Sequence, residues 1–325
     1  MADASQVGLA LAYVCAGILY PEGLEKPSVT GRQTIVRRGW LLPSDIFAAQ
    51  NIRNNTDFLT VTLAPQKGIV VPEPLGRPWQ VQARVLPTVS VKQSTQAVRI
   101  AFPSEGAPLG VVGVWYEAGK TQISAAYAVT EQDTPETVAL ALAGQLPKGL
   151  ADGNSVQVPG YNLAGNVVGY GQSVRVNRRQ NQRYRVSLWT ADSGVRDTLG
   201  QFLDTELAEK SWISTLDGRQ AQLRFVSVED IDTMQNQALY RRDYLYELVF
   251  DTLQVQWSSD MMFGAGTVSA GDQVSSFGAI EPAFDNSVVL HALEAMQAAQ
   301  TSQAAQNSYP GMMVNQFGTV VCQSH

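Results

Sequence analysis

The stretch VRVNRRQNQRYRVSLW, Val174 to Trp189, decides how the rest of the chain is read. Tyr184, Val186 and Leu188 take one side and Arg183, Arg185 and Ser187 the other, the period-two pattern of a strand with one buried face. ADSGVRDTLGQFLDTELAEK follows, with Val195, Leu199, Phe202, Leu203 and Leu207 at helical spacing in one apolar stripe. Asp192 or Ser193 can cap this helix, since a short polar side chain accepts from its first free N–H groups. Two more strand-like runs come next, Gln220 to Val228 and Tyr240 to Val255, the second containing YRRDYLYELVF. A helix laid by its stripe on one sheet face makes a small α+β unit. Nothing in it has the pattern of a catalytic centre. It offers a sheet, a covering helix and a face rich in Arg and Tyr.

Working outward, residues 7–20 (VGLALAYVCAGILY) predict a helix with Val7, Leu11, Val14 and Ile18 on one face, ended by Pro21 and Gly23. No Lys or Arg precedes this run and it is too short to span a bilayer, so a soluble protein is expected. QTIVRRGW reads as a strand, LPSDIFAAQ as a short helix, and DFLTVTLAP as a strand with Phe58 opposed to Leu59, Val61 and Leu63. The chain turns Pro- and Gly-rich at Gly68–Pro78. WQVQARV, TVSVKQ, AVRIAF, GVVGVWYEAG and KTQISAAYAV then predict a small antiparallel β domain. Asp133 and Glu136 fit a capping box for a helix with Pro135 in its first turn and Val138, Leu142 and Leu146 as its stripe. PKGLADGNSVQVPG reads as the loop that ends the segment. Neither flanking half has enough strands to bury its own helices. The expected organisation is therefore a discontinuous α/β domain over 1–66 and 160–255 with an inserted β-rich domain over 67–159.

Residues 256–325 read as a C-terminal extension. SSDMMFGAGTVSAGDQVSSFGAIEPAF carries few strand or helix signals. DNSVVLHALEAMQAAQTSQAAQ predicts a helix capped by Asp285 or Asn286, with Val289, Leu293 and Met296 on one face. The last run, SYPGMMVNQFGTVVCQSH, is expected to be an extended apolar arm that docks on this subunit or a neighbour.

Apolar residues make up 45% of the chain and charged residues 16%, a surface poor enough in charge to favour covering by copies of itself. A net charge of −6 argues against nucleic acid as the main partner. The two histidines, His291 and His325, have no Cys or acidic neighbours at ligand spacing, so no metal and no cofactor is expected. Neither G-x-S-x-G nor G-x-x-x-x-G-K-[ST] occurs, and Gly264-Ala265-Gly266 lacks the strand and helix that would frame a dinucleotide loop. Glu229, Asp230 and Asp232 read as an acidic solvated turn rather than a cation site. No enzymatic activity is expected. Cys15 and Cys322 admit two readings, unpaired thiols in a reducing compartment or a disulfide between subunits. The remaining constellation is Arg178, Arg179, Arg183, Arg185, Tyr240, Arg241, Arg242 and Tyr244. It reads either as a solvated face paired to Asp243 and Glu247, or as a subunit interface, for which Arg and Tyr are enriched. Met312, Met313 and Phe317 of the arm are candidate interface residues too.

The basic strand followed by ADSGVRDTLGQFLDTELAE and YRRDYLYELVF, with an opening helix ending in LYPEG and then VRRGW, resembles neck and tail proteins of tailed bacteriophages. The similar type is the tail-terminator or tail-completion protein, and the resemblance covers about 1–66 and 160–255. It implies an α+β fold, a tail-terminator-like sheet with covering helices, and a structural virion protein assembled in the host cytoplasm. That protein would form a ring of itself, hexameric in this family type, contacting tail tube, sheath and head–tail connector. Nucleic acid would be incidental in the lumen, and no membrane is implied. The segments 67–159 and 256–325 exceed a minimal terminator. Collar, sheath-like neck or baseplate relatives therefore stand beside it, as does a host-surface or carbohydrate-binding module on the inserted domain.

Overall fold

Asp3 accepts a hydrogen bond from the Gln6 amide at 2.7 Å and so starts α1 (Ala4–Leu19) in the computed structural model. The structure describes residues 3–47, 52, 54–65, 77–119, 121–233, 238–270 and 273–323. After α1 come β1 (Gln33–Arg38), α2 (Pro43–Phe47) and β2 (Thr56–Leu63). Then β3 (Gln80–Val85), β4 (Ser90–Gln93), β5 (Ala97–Ala101), β6 (Gly110–Ala118) and β7 (Thr121–Val129) lead to α3 (Pro135–Gln145). Short strands β8 (Leu150–Asp152), β9 (Ser155–Gln157) and β10 (Ala164–Val168) precede the long β11 (Tyr170–Thr190). Next are α4 (Ser193–Ala208), β12 (Trp212–Ser214), β13 (Gln220–Ile231) and β14 (Tyr240–Ser259). The chain closes with β15 (Ala265–Ala270), β16 (Gln273–Gly278), α5 (Ser287–Ser308), β17 (Met312–Val314) and β18 (Val320–Cys322). The described residues are mixed α+β, mostly strand (43%), with five helices and a curled half-barrel sheet.

Contacts divide the chain into Met1–Pro78, Val176–Gln254 and Ala298–His325 on one hand, and Trp79–Arg175 and Val255–Gln297 on the other. In the first unit the strand order is β1-β2-β11-β14-β13-β12, with β1 and β2 parallel and β2–β11, β13–β14 and β12–β13 antiparallel. One face of this sheet is covered by α1 and α4, each seated on a tyrosine through a glycine. Tyr184 donates its hydroxyl to the Ala4 carbonyl at 2.6 Å, and a Cβ on Gly8 would stand 2.9 Å from its ring. Tyr244 donates to the Gly200 carbonyl at 2.7 Å, and a Cβ on Gly200 would meet its hydroxyl at 2.7 Å. Around these anchors Val186, Leu188, Leu199, Leu203, Leu207, Tyr246 and Leu248 form one core with α1. That helix buries Ala10, Ala12, Cys15, Ala16 and Leu19 besides Val7, Leu11 and Ile18, more than a single stripe. On the opposite sheet face Phe58 packs with Leu41, Ile52, Trp189 and Leu239.

The helix expected after Asp285 is present as α5 (Ser287–Ser308), and the last run docks on the first unit's own core, one of the two dockings expected, as a β17–β18 hairpin rather than an extended arm. Tyr309 packs with its ring tilted 44° against Tyr13, 5.2 Å between centroids, and donates to the Ser214 carbonyl at 2.5 Å, while Val320 is buried in the same cluster. The Arg38 amide donates to the Gly318 carbonyl at 2.7 Å, and Arg37 bridges to Thr319. Gly318 has φ +75, and a Cβ there would lie 2.2 Å from the Arg38 carbonyl oxygen, so this turn requires glycine.

In the second unit β10-β6-β7 form an antiparallel sheet and β4-β5-β9-β8 another, with α3 packed on both through Val138, Ala139 and Leu142. Its helix cap is Thr134, reciprocally bonded with Thr137, and not Asp133. Asp133 instead accepts from Thr130 and Tyr127. The stretch read as a closing loop contains the β8–β9 hairpin, and the run with few signals after 255 contains β15–β16. Trp257, Met262, Val289 and Leu293 complete a core with Val111, Ala126, Val168 and Tyr170. Residues 255–297 thus supply core side chains to this unit, and 298–325 supply them to the first. The expected boundaries at 66, 160 and 256 differ from the contact division for that reason.

Candidate functional site

Period-two geometry splits the Arg/Tyr constellation between two sheet faces. Odd-numbered residues of β11 and β14 point away from the helices. There Arg179 forks onto Asp251 at 2.8 and 2.9 Å, and Arg183 bonds Glu247 at 2.7 Å. Arg241 forks onto Asp243 at 2.6 and 2.5 Å, and Arg185 reaches the same carboxylate at 3.3 Å. The Arg241 guanidinium also lies 4.6 Å from the Trp189 ring and 5.7 Å from that of Trp40. Burial would raise the Glu247 carboxyl, but hydrogen bonds from Arg183 and Asn181 outweigh it and hold it below the usual range. These are ladders of paired charges across neighbouring strands. The pairing to Asp243 and Glu247 weighed from the sequence is what the geometry displays, extended to Asp251.

The even-numbered residues face the helices. Tyr244 is 2% exposed beneath α4, so it is a core residue and not a surface contact. Arg242 bonds Asp230 at 2.6 and 2.8 Å and Asp197 at 2.9 Å. Arg196, 6% exposed, bonds Asp197 and Asp232 and lies 5.9 Å from the Tyr240 ring. The Arg242 hydrogen bond depresses the Asp230 pKa, with a further Coulomb contribution from Arg196. These groups tie the N-terminal turns of α4 to the β13–β14 hairpin. Beside them lies a cleft of about 370 Å³ lined by Gln201, Asp204, Val228, Glu229, Asp230, Arg242 and Tyr244. Arg178 is exposed and makes no ion pair among the described residues.

Among the described residues no group of three His, Cys, Asp or Glu side chains is placed to hold a metal ion. Glu229 and Asp230, expected in a turn, lie instead in β13, and Asp230 and Asp232 are engaged by Arg242 and Arg196. Cys15 is fully buried and its thiol is pushed up to about 12 by desolvation, whereas Cys322 is exposed. A disulfide between subunits through Cys15 would require opening the core, so that part of the expectation is corrected. Met312 is half-buried against α1, with Met313 and Phe317 exposed to 41% and 54%.

Sequence reasoning missed the outer side of β13. Its residues pair with β14 on one side, and β12 covers only Gln220–Gln222 on the other. From Arg224 to Asp230 every residue is exposed, including Phe225 at 54%, Val226 at 37% and Val228 at 49%. No strand pairs with the outer side of this run among the described residues. A β-bulge between Phe225 and Ser227 breaks the alternation, which hid the pattern in RFVSVED. No helix among the described residues is long and apolar enough to cross a membrane. No protein-family model and no curated protein matches the chain.

Proposed function

We propose that this chain is a structural virion protein of a phage tail neck, forming a ring, hexameric in the family type it resembles. The ring would terminate the tail tube or sheath and join it to the head connector. What supports an assembling role is the exposed apolar run at Phe225–Val228, a surface that lone proteins avoid and that favours association with another chain. The two separated stretches that carry the resemblance also fold into one layer, α1 and α4 over β1-β2-β11-β14-β13. The ion-pair ladders stiffen that sheet, so that its edges keep fixed positions. The role is geometric, with the sheet as a rigid plate and its edges as contacts.

The test is electron microscopy of the purified protein, followed by antibody labelling of intact particles. Closed rings together with label at the head-proximal end of the tail support the reading. A chain that stays monomeric, or label confined to fibres or baseplate, rejects it. Specific glycan binding without assembly would reassign the chain to the host-surface alternative.

A further inference from the structure

The edge of β13 has an internal symmetry that selects its own occupant. Opposite β14, Arg224 stands at Glu247, Phe225 at Tyr246, Ser227 at Leu245, Val228 at Tyr244 and Glu229 at Asp243, with Val226 the extra residue of the bulge. The bulge therefore shifts side-chain parity. Arg224 and Glu229 share the face that carries Glu247 and Asp243, while Phe225 and Val228 share the face that carries Tyr246 and Tyr244. Counted this way, the strand is a near-palindrome centred on Ser227. Basic, apolar, bulge, apolar and acidic positions follow in order.

The geometry points to a second copy of this chain as the strand that completes this edge, paired antiparallel about a two-fold axis at the bulge. In that pairing Arg224 of one copy meets Glu229 of the other on one face, twice. Phe225 meets Val228 on the other face, also twice. Parallel pairing would set Arg224 against Arg224 and Glu229 against Glu229, and like charges directly opposite oppose association. Backbone N–H and C=O groups along the edge supply the ladder, and the three apolar side chains supply the burial. A bulge ordinarily blunts an edge. Here it restores the match, because in a regular strand without the bulge Arg224 and Glu229, five apart, would fall on opposite faces. The pairing does not depend on the neck-ring reading. This contact is two-fold and gives even-numbered assemblies, so a ring would need a further, head-to-tail contact elsewhere on the subunit.

The experiment is sedimentation over a concentration series for the full chain and three variants, Arg224→Glu, Glu229→Arg and the double exchange. Both side chains are exposed, so all variants keep the fold, which circular dichroism verifies. Wild type should reversibly double its mass, or form even-numbered assemblies. Each single variant puts two like-charge contacts in place of two attractive ones and should associate about tenfold more weakly or worse. The double exchange should restore association, which only self-pairing in this register explains. A wild type that never gains an even-numbered state, single variants with unchanged mass, or a double variant as weak as the singles would each overturn the inference. Rings that form while wild type shows no two-fold doubling would overturn this pairing and leave the neck reading standing.

Discussion

Replacing Tyr309 tests whether the C-terminal hairpin belongs to the core of its own chain. The ring is 8% exposed, packs 5.2 Å from Tyr13, and its hydroxyl donates to the Ser214 carbonyl at 2.5 Å. Deleting a buried aromatic side chain costs about 3–5 kcal/mol through lost burial and the cavity left behind. The hydrogen bond alone accounts for about 0.5–1.5 kcal/mol. Tyr309→Ala should therefore lose about 4 kcal/mol, and Tyr309→Phe about 1 kcal/mol. Urea unfolding followed by tryptophan fluorescence measures both losses. Hydrogen exchange at Arg38 and Gln323, whose amides bond Gly318 and Gly311, reports whether the hairpin has detached. Tyr309→Ala costing less than about 1 kcal/mol, with those two amides still protected, would refute the argument that this side chain anchors the segment. The same packing means that removing 285–325 takes Val289 and Leu293 from one core and Tyr309 and Val320 from the other. Such a truncation should destabilise both units rather than leave a sound protein that only assembles poorly.

Gly200→Ala brings a methyl to 2.7 Å from the Tyr244 hydroxyl and should cost about 1–3 kcal/mol in thermal or urea unfolding. Combining it with Tyr244→Phe removes one of the two groups at 2.7 Å, the other being Arg242 Nη1, so the double variant should cost less than the sum of the singles. Glu247 is held below its ordinary value of 4.5, so its pairing stabilises the fold fully above that pH and loses its contribution as pH falls through the lower folded value. Wild type should consequently lose stability more steeply than Glu247→Gln on acidification below pH 4.5, read from unfolding midpoints across pH. A chromogenic thiol reagent should titrate Cys322 at once and Cys15 only on unfolding, since only the former is exposed. Two fast thiols would contradict the packing of α1.

The long elements were legible because their periodicity is strong. Tyr184, Val186 and Leu188 on β11 and Leu199, Leu203 and Leu207 on α4 fall in the core that their spacing predicts. Errors arose where a short-range signal was misassigned. Pro135 at the first helical position makes its immediate predecessor the cap, so Thr134 and not Asp133 closes that helix end. Gly153-Asn154 between Asp152 and Ser155 is a two-residue hairpin signal inside what was read as a loop. Arg241 and Arg242 are neighbours and must point to opposite faces of a strand, so the Arg/Tyr constellation could not be one surface. In the tail the helix α5 was legible, but its partition between two cores was not, for a different reason. Its Gly, Ser, Gln and Ala composition resembles a linker, and a few large side chains, Trp257, Met262, Tyr309 and Val320, fix it by long-range contacts that no local pattern announces. The strand β13 was legible over Gln220–Val228, but its free edge was not, because strand order is set by long-range pairing and the bulge obscures which face each side chain takes.

Covering of the β13 edge at Arg224–Asp230 by another copy of the chain, as proposed above, has a direct readout. Solvent exchange of the amides in β13, measured at low and high protein concentration, tests it most directly. The amides of Arg224–Asp230 that point away from β14 should gain protection as the protein associates, while those already bonded to β14 change little. Equal, rapid exchange of these β13 amides at every concentration, in a chain whose mass never rises above 35.2 kDa, would contradict it.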